Sequence, residues 1–231
     1  TNIPVVCDFR VQDVNLGGQG APLVPVGDLL LFRDFTHCIN LGGVSNISVK
    51  SNKNIVAYDI CPVNIVLNKY SRLIGIDFDL DGKVSESGKI NYKLLKLLDN
   101  ISFYNLKAPK SLGIEWVENK IFPLIDSFNI SVRDILRTFV EHVAIQISNN
   151  LKGKNLKVLI SGGGVKNKFL MKRIKKLSNQ NFYTISKNII DYKEALIFGF
   201  LGVLKIRNEN NCLKSVTGAS KDHSSGIIFD N

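Results

Sequence analysis

Residues 157–177 read KVLISGGGVKNKFLMKRIKKL, a short apolar run, three consecutive glycines, and then apolar residues at helical spacing. A buried strand, a sharp glycine turn and an amphipathic helix in direct succession leave few architectures open, because each element must bury its apolar face against another layer. The spacing predicts a strand over Lys157–Ile160 and a helix over Lys168–Leu177. At such a turn the unpaired amides and the helix dipole favour an anion, or a flat nucleotide laid over the backbone. The run lacks both the Gly-Lys-Ser/Thr ending of a Walker loop and the spaced GxGxxG of a dinucleotide fold.

The rest of the chain follows the same α/β grammar. Ile3–Phe9, Leu29–Phe32, His37–Leu41, Asn46–Lys50, Ile55–Ile60 and Phe182–Ile185 are short apolar runs between turn signals and are predicted as strands. Asn64–Ser71 and Asn91–Leu98 show helical spacing. The clearest helix is capped by Ser131, carries Asp134 in its first turn and runs toward a stop at Gly153. Tyr192–Ile206 is apolar nearly all round and is predicted to be a buried helix, and the segment from Ser215 onward is turn-like.

Composition removes several classes of function. With 45% hydrophobic and 22% charged residues among 231, the chain is globular material rather than a disordered one. Its 30 Lys and Arg exceed 20 Asp and Glu, but the excess is spread along the sequence. The one dense basic run, Lys166–Lys176, is interleaved with Phe169, Leu170, Met171 and Ile174, as a helix with one solvated face would be. An RNA-binding module built on that helix is the less favoured reading, and no nucleic-acid partner is expected. Cys7, Cys38, Cys61 and Cys212 form no CxxC pair, and His37, His142 and His223 do not fall at metal-ligand spacing. Free thiols in a reducing cytoplasm are expected. Ala195–Leu204, the most apolar run, is too short to span a bilayer, so no membrane association is expected. His142 and Trp116 read as packing residues. The start at Thr1, directly into strand-like sequence, reads as a piece of a longer or processed protein.

Two further glycine clusters and three carboxylates are candidate chemistry. NLGGVSN, Asn40–Asn46, lies between strand-like runs, where hairpin amides can approach phosphate oxygens. DVNLGGQGAPLVPV, Asp13–Val26, holds a carboxylate next to three glycines and a glutamine. Asp13, or Asp8 five residues earlier, is a candidate general base there, although aspartate also caps loops. Asp59 repeats the arrangement of a carboxylate after a strand, ahead of CPVN, and reads equally well as an Asx turn before Pro62. The residues alone give an α/β nucleotide-binding protein of unspecified substrate.

Taken in order, DFRVQDVNLGGQGAPLVP, NLGGVSNI, KSLGIE, GGGVKN, KEALIFGFLG and SVTGA resemble the motifs of the anhydro-N-acetylmuramic acid kinases, part of the actin-like ATPase and sugar-kinase superfamily. The resemblance implies an actin-like, ribonuclease H-like fold. Its second lobe, 38–214, would be essentially complete, with 1–37 a remnant of the first lobe carrying a sugar-site loop and 215–231 a tail. It implies phosphorylation of 1,6-anhydro-N-acetylmuramic acid by ATP with Mg²⁺, while water opens the anhydro ring, to give N-acetylmuramic acid 6-phosphate in cell-wall recycling in the cytoplasm.

It also assigns roles. Asp13 would be the catalytic base, and Asp8, Gly17, Gly18, Gln19, Gly20, Asp59 and Asn64 would contact the sugar. Gly42, Gly43 and Asn46 would lie near the phosphates, and Gly162, Gly163, Gly164 and Asn167 near the adenosine. A homodimer is implied by the family alone. This chain departs from the family's DTGPGN with DICPVN at Asp59–Asn64, and from KSTGRE with Leu112 and Ile114. The first phosphate loop of the family, G-T-S-x-D-G, does not occur in it, so the chain is expected to be an incomplete, inactive fragment. The rival expectation is a non-catalytic saccharide- or partner-binding module.

Overall fold

The computed structural model describes residues 3–51, 54–184 and 186–229. In chain order the elements are β1 Val5–Cys7, α1 Val11–Asn15, α2 Pro25–Leu31, β2 His37–Leu41, β3 Val44–Ser51, β4 Asn54–Pro62, α3 Asn64–Arg72, α4 Lys83–Ser87, α5 Tyr92–Asp99, α6 Ile114–Trp116, α7 Phe122–Asp126, α8 Val132–Asn149, β5 Lys157–Ser161, α9 Lys168–Ser178, β6 Asn181–Thr184, α10 Lys187–Ile206, α11 Lys214–Thr217 and β7 Ile227–Phe229. Short 3₁₀ turns and one π turn, Val117–Ile121, join some of them.

Two compact units result. One gathers Thr1–Thr36, Ser48–Ala57 and Ser186–Asn231, and the other His37–Ile47 and Tyr58–Ile185. This division differs from the lobes expected from the resemblance, because strand pairing draws distant segments together. β1 pairs antiparallel with β7, Val5 opposite Phe229 and Cys7 opposite Ile227. Residues 186–231 therefore group with the N-terminal segment instead of forming a separate tail.

The larger unit is built on parallel pairing. In the five-stranded order β4-β3-β2-β5-β6, β5 lies parallel to both β2 and β6, with Asn40 opposite Ser161 and Ile160 opposite Thr184. Cys38, Ile39, Leu41, Val158, Leu159 and Ile160 are all buried, as expected of strands covered on both faces. Helix α8 packs against α3, α4, α5 and α9. Ser131 Oγ accepts from Asp134 N at 3.2 Å to start it, as predicted. It ends at Asn149 rather than Gly153, where Asn150 Nδ2 donates to Gln146 O at 2.8 Å.

In the smaller unit two expectations fail. Leu29–Phe32, predicted as a strand, lies largely in helix α2, whose Pro25 presets φ in the first turn and whose leucines lack β-branching. Gly27 lets α2 meet α10 closely, since a Cβ there would stand 2.4 Å from Ile197 Cγ1. Helix α10 is longer than predicted and is not buried all round. Tyr192, Leu196, Val203 and Ile206, at helical spacing, are 67%, 46%, 50% and 59% exposed. Its firm anchor is polar: Lys193 Nζ lies 2.7 Å from Asp28 Oδ1, and Ser48 Oγ donates to Asp28 Oδ2 at 2.8 Å. The predicted strand Phe182–Ile185 is β6, with Ile185 outside the described residues. No helix among the described residues is long and apolar enough to cross a membrane.

Candidate functional site

The larger unit collects the glycine turns that follow β2 and β5 at the same end of two paired parallel strands, where ligands of α/β sheets bind. Gly162, at φ +87, has no room for a side chain, because a Cβ would meet Asn40 Oδ1 at 2.4 Å and the Leu41 carbonyl at 2.8 Å. Gly164 sits as closely on Leu41, whereas Gly163 is exposed and would place a Cβ no nearer than 3.9 Å, to Asn64 Nδ2. Asn64 Nδ2 donates to Leu41 O at 3.3 Å, so this side chain stands between the two turns. The hairpin glycines continue the cluster. Gly43 O accepts from Val63 N at 2.8 Å and from Ile65 N at 3.2 Å, and Gly42 O accepts from Asn64 N at 3.3 Å, which pins the start of α3 to the turn.

Asp59 is held on β4 by both its backbone and its side chain. Its N–H donates to Lys110 O at 3.0 Å, and its Oδ2 accepts from Leu112 N at 2.8 Å. The carboxylate is partly exposed. Burial pushes its pKa above the ordinary carboxylate value, and the Leu112 bond only partly opposes that rise. Lys110 in turn donates to Phe103 O at 3.2 Å and Tyr104 O at 3.3 Å, and its Nζ lies 4.7 Å from the Phe103 ring centroid. Partial burial lowers the Lys110 pKa.

The departures from DTGPGN fall where they do no harm to this carboxylate. Ile60, Cys61 and Val63 are buried at 1%, 0% and 0%, so their side chains fill the core. The contact from KSLGIE comes from the backbone N–H of Leu112 and does not depend on its side chain.

The other predicted residues are distributed differently. Asn167 caps α9, its Oδ1 accepting from Leu170 N at 2.9 Å. Asn46 is exposed on β3. In the smaller unit Asp13 is sealed, at 0% exposure. Its Oδ2 accepts from Gly20 N at 2.8 Å and its Oδ1 from Thr217 Oγ1 at 2.7 Å. Gly18 is glycine for this carboxylate, since a Cβ would stand 2.2 Å from Asp13 Oδ2. Gln19 N donates to Thr217 O at 2.9 Å, which ties the loop to the SVTGA segment. Asp8 is exposed in a left-handed conformation, φ 54, and Gly17 and Gln19 are exposed.

Sequence reasoning missed two arrangements. His142 is buried with Nδ1 2.5 Å from Asp99 Oδ1 and Nε2 2.9 Å from the Tyr104 hydroxyl, where packing alone was expected. Asp13, Cys212 and His223, which no linear spacing connects, converge with their ligand atoms within 4.8 Å of one another.

Comparison with known proteins matches the sequence of this chain to one family. The sequence profile described as anhydro-N-acetylmuramic acid kinase matches residues 1–231. The chain belongs to the anhydro-N-acetylmuramic acid kinase family. Relatives carrying that description include one from Mannheimia succiniciproducens, 36% identical over 99% of this chain and 66% of its own length. A relative from Vibrio parahaemolyticus is 34% identical over 99% of this chain and 65% of its own. The chain thus spans just under two thirds of the length of these curated members of the anhydro-N-acetylmuramic acid kinase family. Among solved structures, the activator of the 2-hydroxyisocaproyl-CoA dehydratase from Clostridium difficile with bound ADPNP aligns over 71% of this chain and 58% of its own, at 16% identity and a TM-score of 0.43.

Proposed function

We propose that the chain contributes the sugar-activating and nucleotide-facing surfaces of an ATP-dependent kinase acting on 1,6-anhydro-N-acetylmuramic acid in the cytoplasm. The observation that carries this reading is the pairing of a family match over the whole chain with the glycine turns at the shared end of β2 and β5. An exposed Gly163 beside Asn64 leaves backbone open to a flat ring, which supports adenosine there. The amides of the Gly42–Gly43 hairpin suit the phosphates, and Mg²⁺ would neutralise phosphate charge during transfer.

The reaction forms a bond from a water oxygen to C1 while the C1–O6 bond breaks. O6 then attacks the γ-phosphorus, ADP leaves, and the water's proton needs a carboxylate. We assign that role to Asp59 in preference to Asp13. Asp59 is partly open, is fixed by Leu112 N, and has a pKa raised toward the range where a base both accepts and releases protons. Asp13 has no exposed surface and both its oxygens already accept hydrogen bonds.

The test is to incubate the gene product carrying these residues with ATP, Mg²⁺ and the anhydro sugar, and to follow N-acetylmuramic acid 6-phosphate by mass spectrometry. Asp59→Asn should abolish product while nucleotide binding survives. Full activity in Asp59→Asn would overturn the assignment, and absence of any product from the unmodified protein would overturn the kinase reading. A homodimer belongs to the same proposal and rests on the family resemblance.

A further inference from the structure

We infer that Asp13, Cys212 and His223 form a buried structural site for a borderline-soft divalent cation, Zn²⁺, that ties the loop around Gly17–Gly20 to the C-terminal segment. The three residues are 0%, 1% and 4% exposed, and each offers one ligand atom. Nitrogen, sulfur and carboxylate oxygen at one point is the donor set zinc takes.

The ligands are positioned by backbone. Cys212 and His223 face each other in an antiparallel bridge, with Cys212 N donating to His223 O at 3.0 Å and His223 N to Cys212 O at 3.1 Å. Asn211 locks the neighbouring turn, its Oδ1 accepting from Ser225 N at 2.7 Å and its Nδ2 donating to Ser225 O at 2.9 Å. Asp13 is fixed independently by Gly20 N and Thr217 Oγ1. Donors that orient a ligand from behind in this way are the usual support of a metal centre.

The second observation is an orphaned atom. His223 Nδ1 is 3.1 Å from Lys221 O, a contact that places a proton on Nδ1 and, in the neutral ring, leaves Nε2 with a lone pair. That Nε2 is buried, has no hydrogen-bond partner, and points at Asp13 Oδ1 across 3.6 Å. With the ring neutral these are two acceptors facing each other, an arrangement that a bound cation satisfies while Asp13 Oδ1 keeps its bond from Thr217. The edge of a tetrahedral zinc site is about 3.3–3.7 Å, so the observed separation fits with little movement. Zinc would displace the Cys212 proton on binding, making affinity rise with pH.

The experiment is metal analysis of the purified full chain, then titration of the metal-stripped chain with Zn²⁺ against a chromogenic chelator. One zinc per chain is expected. Cys212→Ser and His223→Gln should each weaken binding at least about tenfold, while exposed Cys7→Ser should not change it. Zinc at about 100 times its dissociation constant should raise the melting temperature of the unmodified chain by about 5–10 °C and leave that of Cys212→Ser unmoved. Cobalt substitution should give a thiolate charge-transfer band that Cys212→Ser lacks. Absence of saturable binding, or equal binding in all variants, would overturn the proposal. So would an NMR titration showing His223 as an imidazolium with a proton on Nε2 in the zinc-supplemented protein.

Discussion

Gly18→Ala is the sharpest probe of how the N-terminal loop is held. A methyl at Gly18 would lie 2.2 Å from Asp13 Oδ2, 2.7 Å from Cγ and 2.9 Å from Oδ1. Ordinary contact begins near 3.4 Å, so a sealed carboxylate must move by more than an ångström. It cannot do so and keep both the Gly20 N–H at 2.8 Å and the Thr217 hydroxyl at 2.7 Å. Hydrogen bonds to a charged group are worth about 1.5–3 kcal/mol each, which puts the loss at about 3–6 kcal/mol. For a chain of this size that lowers the melting temperature by about 6–24 °C. The natural control is Gly17→Ala, where φ is +83 but nothing lies within 4 Å, so only backbone strain of about 1 kcal/mol is expected. Melting should be followed by circular dichroism, because the single tryptophan, Trp116, lies in the larger unit. In an Asp13→Ala background the cost of Gly18→Ala should fall below about 1 kcal/mol. The reasoning is refuted if Gly18→Ala costs no more than Gly17→Ala, or if its cost persists without Asp13.

Three further outcomes can be checked by denaturation. Because burial raises the folded-state pKa of Asp59, the native state binds more protons than the unfolded chain above the ordinary aspartate value of 3.8. Stability is therefore lost as pH rises through that window, and Asp59→Asn should be more stable than the unmodified chain at neutral pH, with the gap closing toward pH 4 in urea titrations. Burial would raise the Glu141 pKa, but hydrogen bonds from Arg173 and Arg137 outweigh it and hold it below 4.5. Its stabilisation should be full above that value and decline as acid drives pH through the lowered one, and Glu141→Ala should cost about 3–5 kcal/mol by leaving two arginines uncompensated. Lys193→Met strands Asp28 in a pair whose side chains are 9% and 5% exposed, and should cost about 3–5 kcal/mol in urea unfolding.

What could be read from the sequence was local. Ser131 with apolar positions at helical spacing marked α8, and KVLISGGG followed by KFLMKRIKKL marked β5, its turn and α9. The helix at Leu29 was missed because a run of leucines fits either period, and the informative residue was Pro25 upstream. Other features were out of reach for a definite reason: their partners are remote. The Thr217 bond to Asp13 spans 204 positions and the His142 pair with Asp99 spans 43, and neither leaves a periodic trace. A carboxylate followed by glycines looks the same whether it faces substrate or the interior. Only the Gly20 and Thr217 donors separate the two cases. The apolar face of α10 was misjudged for a related reason, since composition reports hydrophobicity and not what covers it.

The pairing of β1 with β7 sets an order of assembly during synthesis. The larger unit is contained within residues 37–185, whereas the smaller one needs Val5–Cys7 to meet Ile227–Phe229. A chain emerging from the ribosome can therefore complete its parallel sheet while residues 1–36 still wait for their partners. Until then the aspartate sealed in the finished fold and the valines of this segment are open to chaperones and proteases.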